Sequence, residues 1–269
     1  DESLLKRPML RISKPLTQMG ADIATADGKP PLTIKGGKKL KGIHYEMPEA
    51  SAQVKSCILL AGLYAQGETS VTETGISRNH TEVMLESFSY PTHRSGNTIT
   101  INSGSECLAT EIFVPGDISS AAFFIVAATI IPGSELLIRN VGINPTRTGI
   151  IHILLEMGAD ITLLNQRQQG AEWVADLLVK YAPLQGINIP PEVVPLAIDE
   201  FPIIFIAAAC AQGKTTLHGA KELRFKESDR IAAMVDGLKH LGINAQALED
   251  GASIEGGTLQ GGVVDSLGD

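Results

Sequence analysis

The chain has 269 residues, 43% of them hydrophobic and 19% charged, enough to bury one large core or two medium ones, and the length slightly favours two domains. A formal net charge of −8 argues against a broad nucleic-acid or membrane-binding surface, so any anionic ligand has to be caught locally. The cysteines, Cys57, Cys107 and Cys210, are widely spaced without a CxxC pair, which argues against a zinc site and a disulfide framework and fits a reducing, cytoplasmic compartment.

The chain opens at Asp1 with no methionine and no visible signal segment, as a piece of a longer protein would. From Arg7 a helical run is predicted to end at Met19-Gly20-Ala21-Asp22-Ile23, followed by the turn Asp27 to Pro31 and a strand over Leu32 to Ile34. Lys35, Lys38, Lys39 and Lys41 read as a solvated charge run. Ser51-Ala52-Gln53 then starts an apolar helix running to Tyr64, with Gly67 and a strand over Thr69 to Val71 after it. A weaker copy of the first pattern runs from Arg78 through Met84-Leu85 to a strand at Thr98 to Ile101.

The Pro-Gly turn in Phe113-Val114-Pro115-Gly116-Asp117 predicts a domain boundary, giving lobes of 1–114 and 115–269. Asp117 caps a second apolar helix, with Gly133 and a strand over Leu136 to Ile138 behind it. Arg147 opens a helix ending at Met157-Gly158-Ala159-Asp160-Ile161, and Gln166 to Gly170 reads as a surface loop. Asp199-Glu200 starts the third apolar helix, before Gly213 and a strand over Thr215 to Leu217, with Asp199 in the role of cap. Arg230 opens the last helix, ending at Leu241-Gly242-Ile243-Asn244-Ala245, and Gly256 to Gly262 is a surface connection. No apolar run approaches the roughly 18 residues that span a bilayer.

These elements repeat. Arg7, Arg78, Arg147 and Arg230 lie 71, 69 and 83 residues apart, a period of about 70 with one longer insertion. The repeated unit is strand, helix, strand, helix, then a hairpin, and its length favours small α/β lobes over a solenoid. Gly213-Lys214-Thr215-Thr216 imitates the end of a phosphate loop, but position 208 is Ala and a helix precedes the glycine, so a helix-to-strand turn is the better reading.

Leu223-Arg224-Phe225-Lys226-Glu227-Ser228-Asp229-Arg230 stands out because six of its eight residues are charged or hydroxylated between two apolar runs. An arginine in the first turn of a helix opposes the dipole by roughly 0.3–1 kcal/mol, and an anion held between Arg230 and the free N–H groups would reverse that sign. The stretch therefore predicts an anion site with Glu227 embedded in it.

Ser51-Ala52-Gln53-Val54-Lys55-Ser56, Asn144-Pro145-Thr146-Arg147-Thr148-Gly149, Asp199-Glu200-Phe201-Pro202 and Leu223 to Arg230 together resemble 5-enolpyruvylshikimate-3-phosphate synthases, in the bacterial branch with Ser-Ala-Gln. The resemblance runs from Ser3 to about Gly257. It implies an α/β fold of two domains built from βαβαββ units, an inside-out α/β barrel, with substrates in the cleft between the domains. It also implies transfer of the enolpyruvyl group of phosphoenolpyruvate to the 5-hydroxyl of shikimate 3-phosphate, on the way to chorismate and the aromatic amino acids. The family is the target of glyphosate. No metal or organic cofactor, no nucleic acid, no membrane and a monomer are expected. The chain is shorter than the family pattern: a Lys-Ser pair with its arginine and a glycine-rich segment are missing upstream, a His-Arg motif and a lysine downstream.

By resemblance, Ser51, Ala52, Gln53, Arg78 and Lys226 bind shikimate 3-phosphate, and Arg7 and Arg230 bind phosphoenolpyruvate. Asp199 accepts the proton of the reacting hydroxyl, and Glu227 serves the methylene carbon. The chemistry asks for these types: cations and helix starts to hold two anions side by side, and carboxylates near those cations to move protons. Arg147 reads as part of a scaffold turn and the cysteines as small core residues. Two other functions remain open, a transferase acting on UDP-N-acetylglucosamine and a non-catalytic anion-binding scaffold of the same fold.

Overall fold

A computed structural model describes residues 5–269, so the start of the resembling stretch at Ser3 lies outside the described residues. The chain forms two compact units, Asp1–Ile112 and Phe113–Asp269. The first opens with α1 (Leu10–Gln18) and an antiparallel pair, β1 (Asp22–Ala26) and β2 (Lys29–Lys35). Then come β3 (His44–Glu46), α2 (Ala52–Gly62), β4 (Glu68–Thr72), α3 (His80–Ser87), β5 (Thr92–Ser95) and β6 (Thr98–Asn102). Their sheet has the order β3-β4-β6-β5, with β3 parallel to β4 and β6 antiparallel to both its neighbours. That is one βαβαββ unit, closed over Ile58, Leu59, Val71, Ile99 and Ile101.

The second unit repeats this twice. α4 (Ile118–Ile130), β7 (Glu135–Gly142), α5 (Gly149–Glu156), β8 (Asp160–Gln169) and β9 (Glu172–Lys180) give a sheet of order β7-β9-β8. α6 (Phe201–Ala209), β10 (Lys214–Leu217), α7 (Arg230–His240), β11 (Asn244–Leu248) and β12 (Gly251–Glu255) give β10-β12-β11. The leading strand of each repeat is reduced to isolated parallel bridges, Gly116 to Val141 in one and Gln185 to Gln212 and Asn188 to Thr216 in the other. Each crossover helix thus still packs on the sheet it feeds. Phe201, Ile204 and Phe205 of α6 are buried, each worth about 1.5–3 kcal/mol of apolar transfer, which explains why this helix is apolar on every side. Among the described residues all four sheets are open, and none closes into a barrel.

Several local expectations need correction. α1 starts at Leu10, not Arg7, because Pro8 disfavours the helical conformation in the residue before it. α3 and α5 begin two residues after Arg78 and Arg147, so only Arg230 stands in a helix's first turn. α2 stops at Gly62, short of Tyr64. Gln166 to Gln169 belong to β8, whose Gln169 pairs with Glu172, leaving only a tight turn at Gly170. Cys107 is exposed and not part of a core. The residue at the start of α6 is Glu200, with no side-chain cap, so Asp199 is not the cap. Gly213 has φ +87°, which fits the turn from α6 into β10.

Candidate functional site

In the second unit the polar stretch folds as a 3-10 turn, Lys221 to Phe225, then an irregular run into α7. Arg224 holds it in place. Its guanidinium donates to Asp229 Oδ2 at 2.6 Å and to the carbonyls of Leu248 and Glu249 at 2.5 and 2.8 Å, fastening the loop to the β11–β12 hairpin. Asp229 caps α7 by accepting from the Ala232 N–H at 3.0 Å. Lys226 and Glu227 therefore project from a stretch fixed on both sides.

Each carries a partner of opposite sign. Lys226 Nζ lies 3.2 Å from Asp199 Oδ1 and donates to Glu222 Oε1 at 2.7 Å. Arg230 donates from Nη2 to Glu227 Oε2 at 3.0 Å and makes a two-point pair with Asp269, at 2.9 and 3.0 Å. The Asp269 hydrogen bonds hold the Arg230 guanidinium above its ordinary pKa; burial works against them, and the charges of Asp269, Glu227 and Asp199 add to them. The start of α7 carries two of the chain's own carboxylates, Asp229 on the backbone and Asp269 on the arginine. Asp199, Ser228, Arg230 and Asp269 border a cavity of about 360 Å³ with an apolar wall from Phe123, Ile206 and Met234.

Behind Asp199, Glu200 is 3% exposed. It accepts from Ser119 Oγ, and Arg147 reaches the same place, donating to Ser119 Oγ and to Asp117 Oδ1 (2.9 Å) with Glu200 Oε1 3.7 Å away. The turn that carries Arg147 is set by Asn144 Oδ1, which accepts from the Thr146 N–H and hydroxyl at 2.9 and 2.7 Å. It ends at Gly149, where a Cβ would come within 2.6 Å of the Leu196 carbonyl carbon. Arg147 is accordingly a scaffold residue that joins the starts of α4 and α6.

Burial raises the Asp117 pKa, but Arg147 and the amides of Ser119 and Ser120 outweigh it and leave the carboxyl below its ordinary value. Asp269 is lowered chiefly by the Arg230 hydrogen bond, partly offset by burial and helped by Ser228. A depressed folded pKa contributes stability that is complete above the unfolded pKa and lost as pH falls through the folded one. Thermal stability should therefore be level near neutral pH and fall below about pH 4. Asp117→Asn should flatten part of that fall in melts recorded across the acid range; an unchanged slope would remove Asp117 from the effect.

In the first unit, Ser51 caps α2 by accepting from the Val54 N–H at 3.4 Å, and its hydroxyl donates to Gln53 Oε1 at 3.2 Å. Arg78 is half-buried in the loop between β4 and α3. The loop and the first turn of α3 lie against α2 and the residues before it: Thr81 of α3 donates to Ser56 Oγ at 2.6 Å, and a Cβ on Gly75 would touch that of Ala50 at 3.7 Å. Arg7 is half-buried ahead of α1. The structure thus gathers Ser51, Ala52, Gln53 and the Arg78 loop in one unit, and Asp199, Lys226, Glu227 and Arg230 in the other.

Arg224, Asp269 and Lys55 escaped sequence reasoning. Arg224 acts through backbone carbonyls of a distant hairpin, which leave no mark on the sequence. Lys55 did carry a signal, a lysine on the helix face that also presents Val54, Ile58 and Leu59 to the core. Among the described residues no cluster of His, Cys, Asp or Glu could hold a metal, and no helix is long and apolar enough to cross a membrane.

A family profile for EPSP synthase (3-phosphoshikimate 1-carboxyvinyltransferase) matches residues 1–269. The 3-phosphoshikimate 1-carboxyvinyltransferase of Legionella pneumophila (strain Paris) is 71% identical over 269 residues, which is all of this chain and 62% of the relative. That of Methylococcus capsulatus is 61% identical over 270 residues, again 62% of the relative. A solved EPSP synthase from Acinetobacter baumannii superposes with a TM-score of 0.87 at 57% identity, covering 96% of this chain and 59% of that one. The chain spans about three-fifths of the length of these relatives.

Proposed function

Since the chain belongs to the EPSP synthase family, we propose that it carries the part of a 3-phosphoshikimate 1-carboxyvinyltransferase that binds shikimate 3-phosphate and moves the protons. In that reaction carbon 3 of phosphoenolpyruvate takes a proton while the 5-hydroxyl of shikimate 3-phosphate attacks carbon 2, and the tetrahedral intermediate then expels phosphate. Ser51, Ala52, Gln53 and Arg78 receive the phosphate of shikimate 3-phosphate, with Lys226 on the same substrate. Arg7 and Arg230 take phosphoenolpyruvate. Asp199 accepts the hydroxyl proton, and Glu227 gives and takes a proton at the methylene carbon.

One observation carries this reading: two carboxylates of the second unit each sit beside a cation of the Lys226 to Arg230 stretch, Lys226 3.2 Å from Asp199 and Arg230 3.0 Å from Glu227. A carboxylate can move a proton only where it is held at the reacting atom, and each of these is held by the cation beside it. The same cations neutralise the repulsion between two phosphorylated substrates. The monomeric state and cytoplasmic location belong to the proposal. The stretch ending in Lys-Glu-Ser-Asp-Arg favours shikimate 3-phosphate over a uridine sugar nucleotide. The test is phosphate release from phosphoenolpyruvate by the full-length protein. Release should require shikimate 3-phosphate and ignore UDP-N-acetylglucosamine; release with the sugar nucleotide, or none with either, would overturn the assignment.

A further inference from the structure

Three ionisable side chains of the first unit are buried away from any ligand-facing role: Lys55 is 0% exposed, Glu73 3% and Glu82 7%. Lys55 Nζ lies 3.1 Å from Glu73 Oε1 and 2.8 Å from Glu82 Oε1. Neither contact has the direction of a hydrogen bond, so the attraction is Coulombic, and both Glu82 oxygens are buried without a hydrogen bond among the described residues. Arg94, half-exposed, approaches Glu73 Oε2 from outside at 3.6 Å. Apolar side chains of the same volume would hold a core at least as well as such a cluster. Buried groups this poorly satisfied ask for another reason.

Their place in the fold supplies one. Glu73 follows β4 and Glu82 lies in the first turn of α3, so they stand at the two ends of the loop that carries Arg78. Glu73 also accepts from Ser77, the residue before Arg78. Lys55 stands four residues after Ser51, the cap of α2. A single ammonium therefore ties both ends of the Arg78 loop to the helix that begins at Ser51.

Resting on the reading that Ser51 and Arg78 take shikimate 3-phosphate, we propose that Lys55 is a positioning residue that sets the Arg78 loop against the start of α2. An apolar contact tolerates sliding, because its energy depends on area and not on direction. An ion pair in dry surroundings does not, since any shift parts Nζ from a carboxylate where the dielectric is low. The loop is thereby held at one register, with its guanidinium at a set distance from the Ser51 hydroxyl and the α2 amides.

The experiment measures the shikimate 3-phosphate dissociation constant of the full-length protein in five variants. Arg78→Ala should raise it about 10- to 100-fold, the loss of a charged hydrogen bond. Lys55→Met alone would leave buried carboxylates and can simply fail to fold, so it is combined with Glu73→Gln and Glu82→Gln. This neutral triple should melt close to the parent yet bind about 5-fold or more weakly. Added to Arg78→Ala it should cost less than about 2-fold more, because effects that pass through one residue do not add. Ser77→Ala repeats the test with all three buried charged residues in place, removing only the Ser77 hydrogen bond to Glu73, with an expected rise of about 3-fold, also absent in the Arg78→Ala background. Parent-like binding by the triple and by Ser77→Ala, with Arg78→Ala weakened, overturns the positioning role and leaves the site standing. Additive losses overturn it as well. Parent-like binding by Arg78→Ala defeats the reading of the site itself.

Discussion

Glu227→Gln in the full-length protein is expected to lower turnover by roughly 10²–10⁴, the usual worth of a proton-transfer group, while shikimate 3-phosphate affinity stays nearly intact. The amide is nearly isosteric, and its oxygen can still accept from Arg230 Nη2, which the carboxylate does now at 3.0 Å. Asp269 keeps its two-point hold on the same guanidinium, so the start of α7 should not move. What the variant loses is the capacity to hold a proton. With a side chain 37% exposed, Glu227 is also reachable by a ligand, unlike the buried Glu200. Steady-state turnover at saturating substrate, beside a binding titration, separates the two quantities. Turnover equal to the parent's would take Glu227 out of the proton transfer, and a parallel loss of affinity would make it a binding group.

Arg147→Met should produce the largest loss of stability. Its guanidinium serves Asp117, Ser119 and Glu200 together, and the Glu200 side chain is only 2% exposed. Removing the cation from a buried carboxylate costs about 3–5 kcal/mol, and the lower end applies because Arg147 itself retains 17% exposure. For a unit of this size about 3 kcal/mol corresponds to a fall in Tm of about 6–12 °C. Glu200→Gln in the same background should restore most of it, since the stranded charge is then gone. Calorimetry on the two variants decides the matter. A fall below about 2 °C, or no recovery in the double variant, would show that the network contributes little. The comparison also bears on the site, because Glu200 is the neighbour of Asp199 in the chain.

The repeat was legible because it is written in spacing. Apolar helices opened by Ser51 and Asp117 and closed near Gly67, Gly133 and Gly213 recur with the period of the βαβαββ unit, which the described residues contain once in full and twice with its leading strand reduced to bridges. Helix starts were less legible. Arg7 and Arg78 lie outside their helices, one because of Pro8 and the other because Asn79 keeps a non-helical conformation. The leading strands of the second unit shrink to isolated bridges, which leave no run of alternating residues to detect.

The site divides in the same way. Lys226, Glu227 and Arg230 are neighbours in the chain, and their charge against an apolar background marks them without any knowledge of the fold. The pairing of Lys226 with Asp199, of Arg230 with Asp269 and of Lys55 with Glu73 and Glu82 joins residues from separate elements. Sequence alone determined which groups the chain possesses, how its helices and strands repeat, and where a polar stretch interrupts the apolar ones, because these follow from local propensity and periodicity. Tertiary structure decided which charge neutralises which, and with it that Asp199 faces a lysine instead of capping α6. Coulombic attraction and burial depend on distance in space, and distance in space is set only when the elements pack.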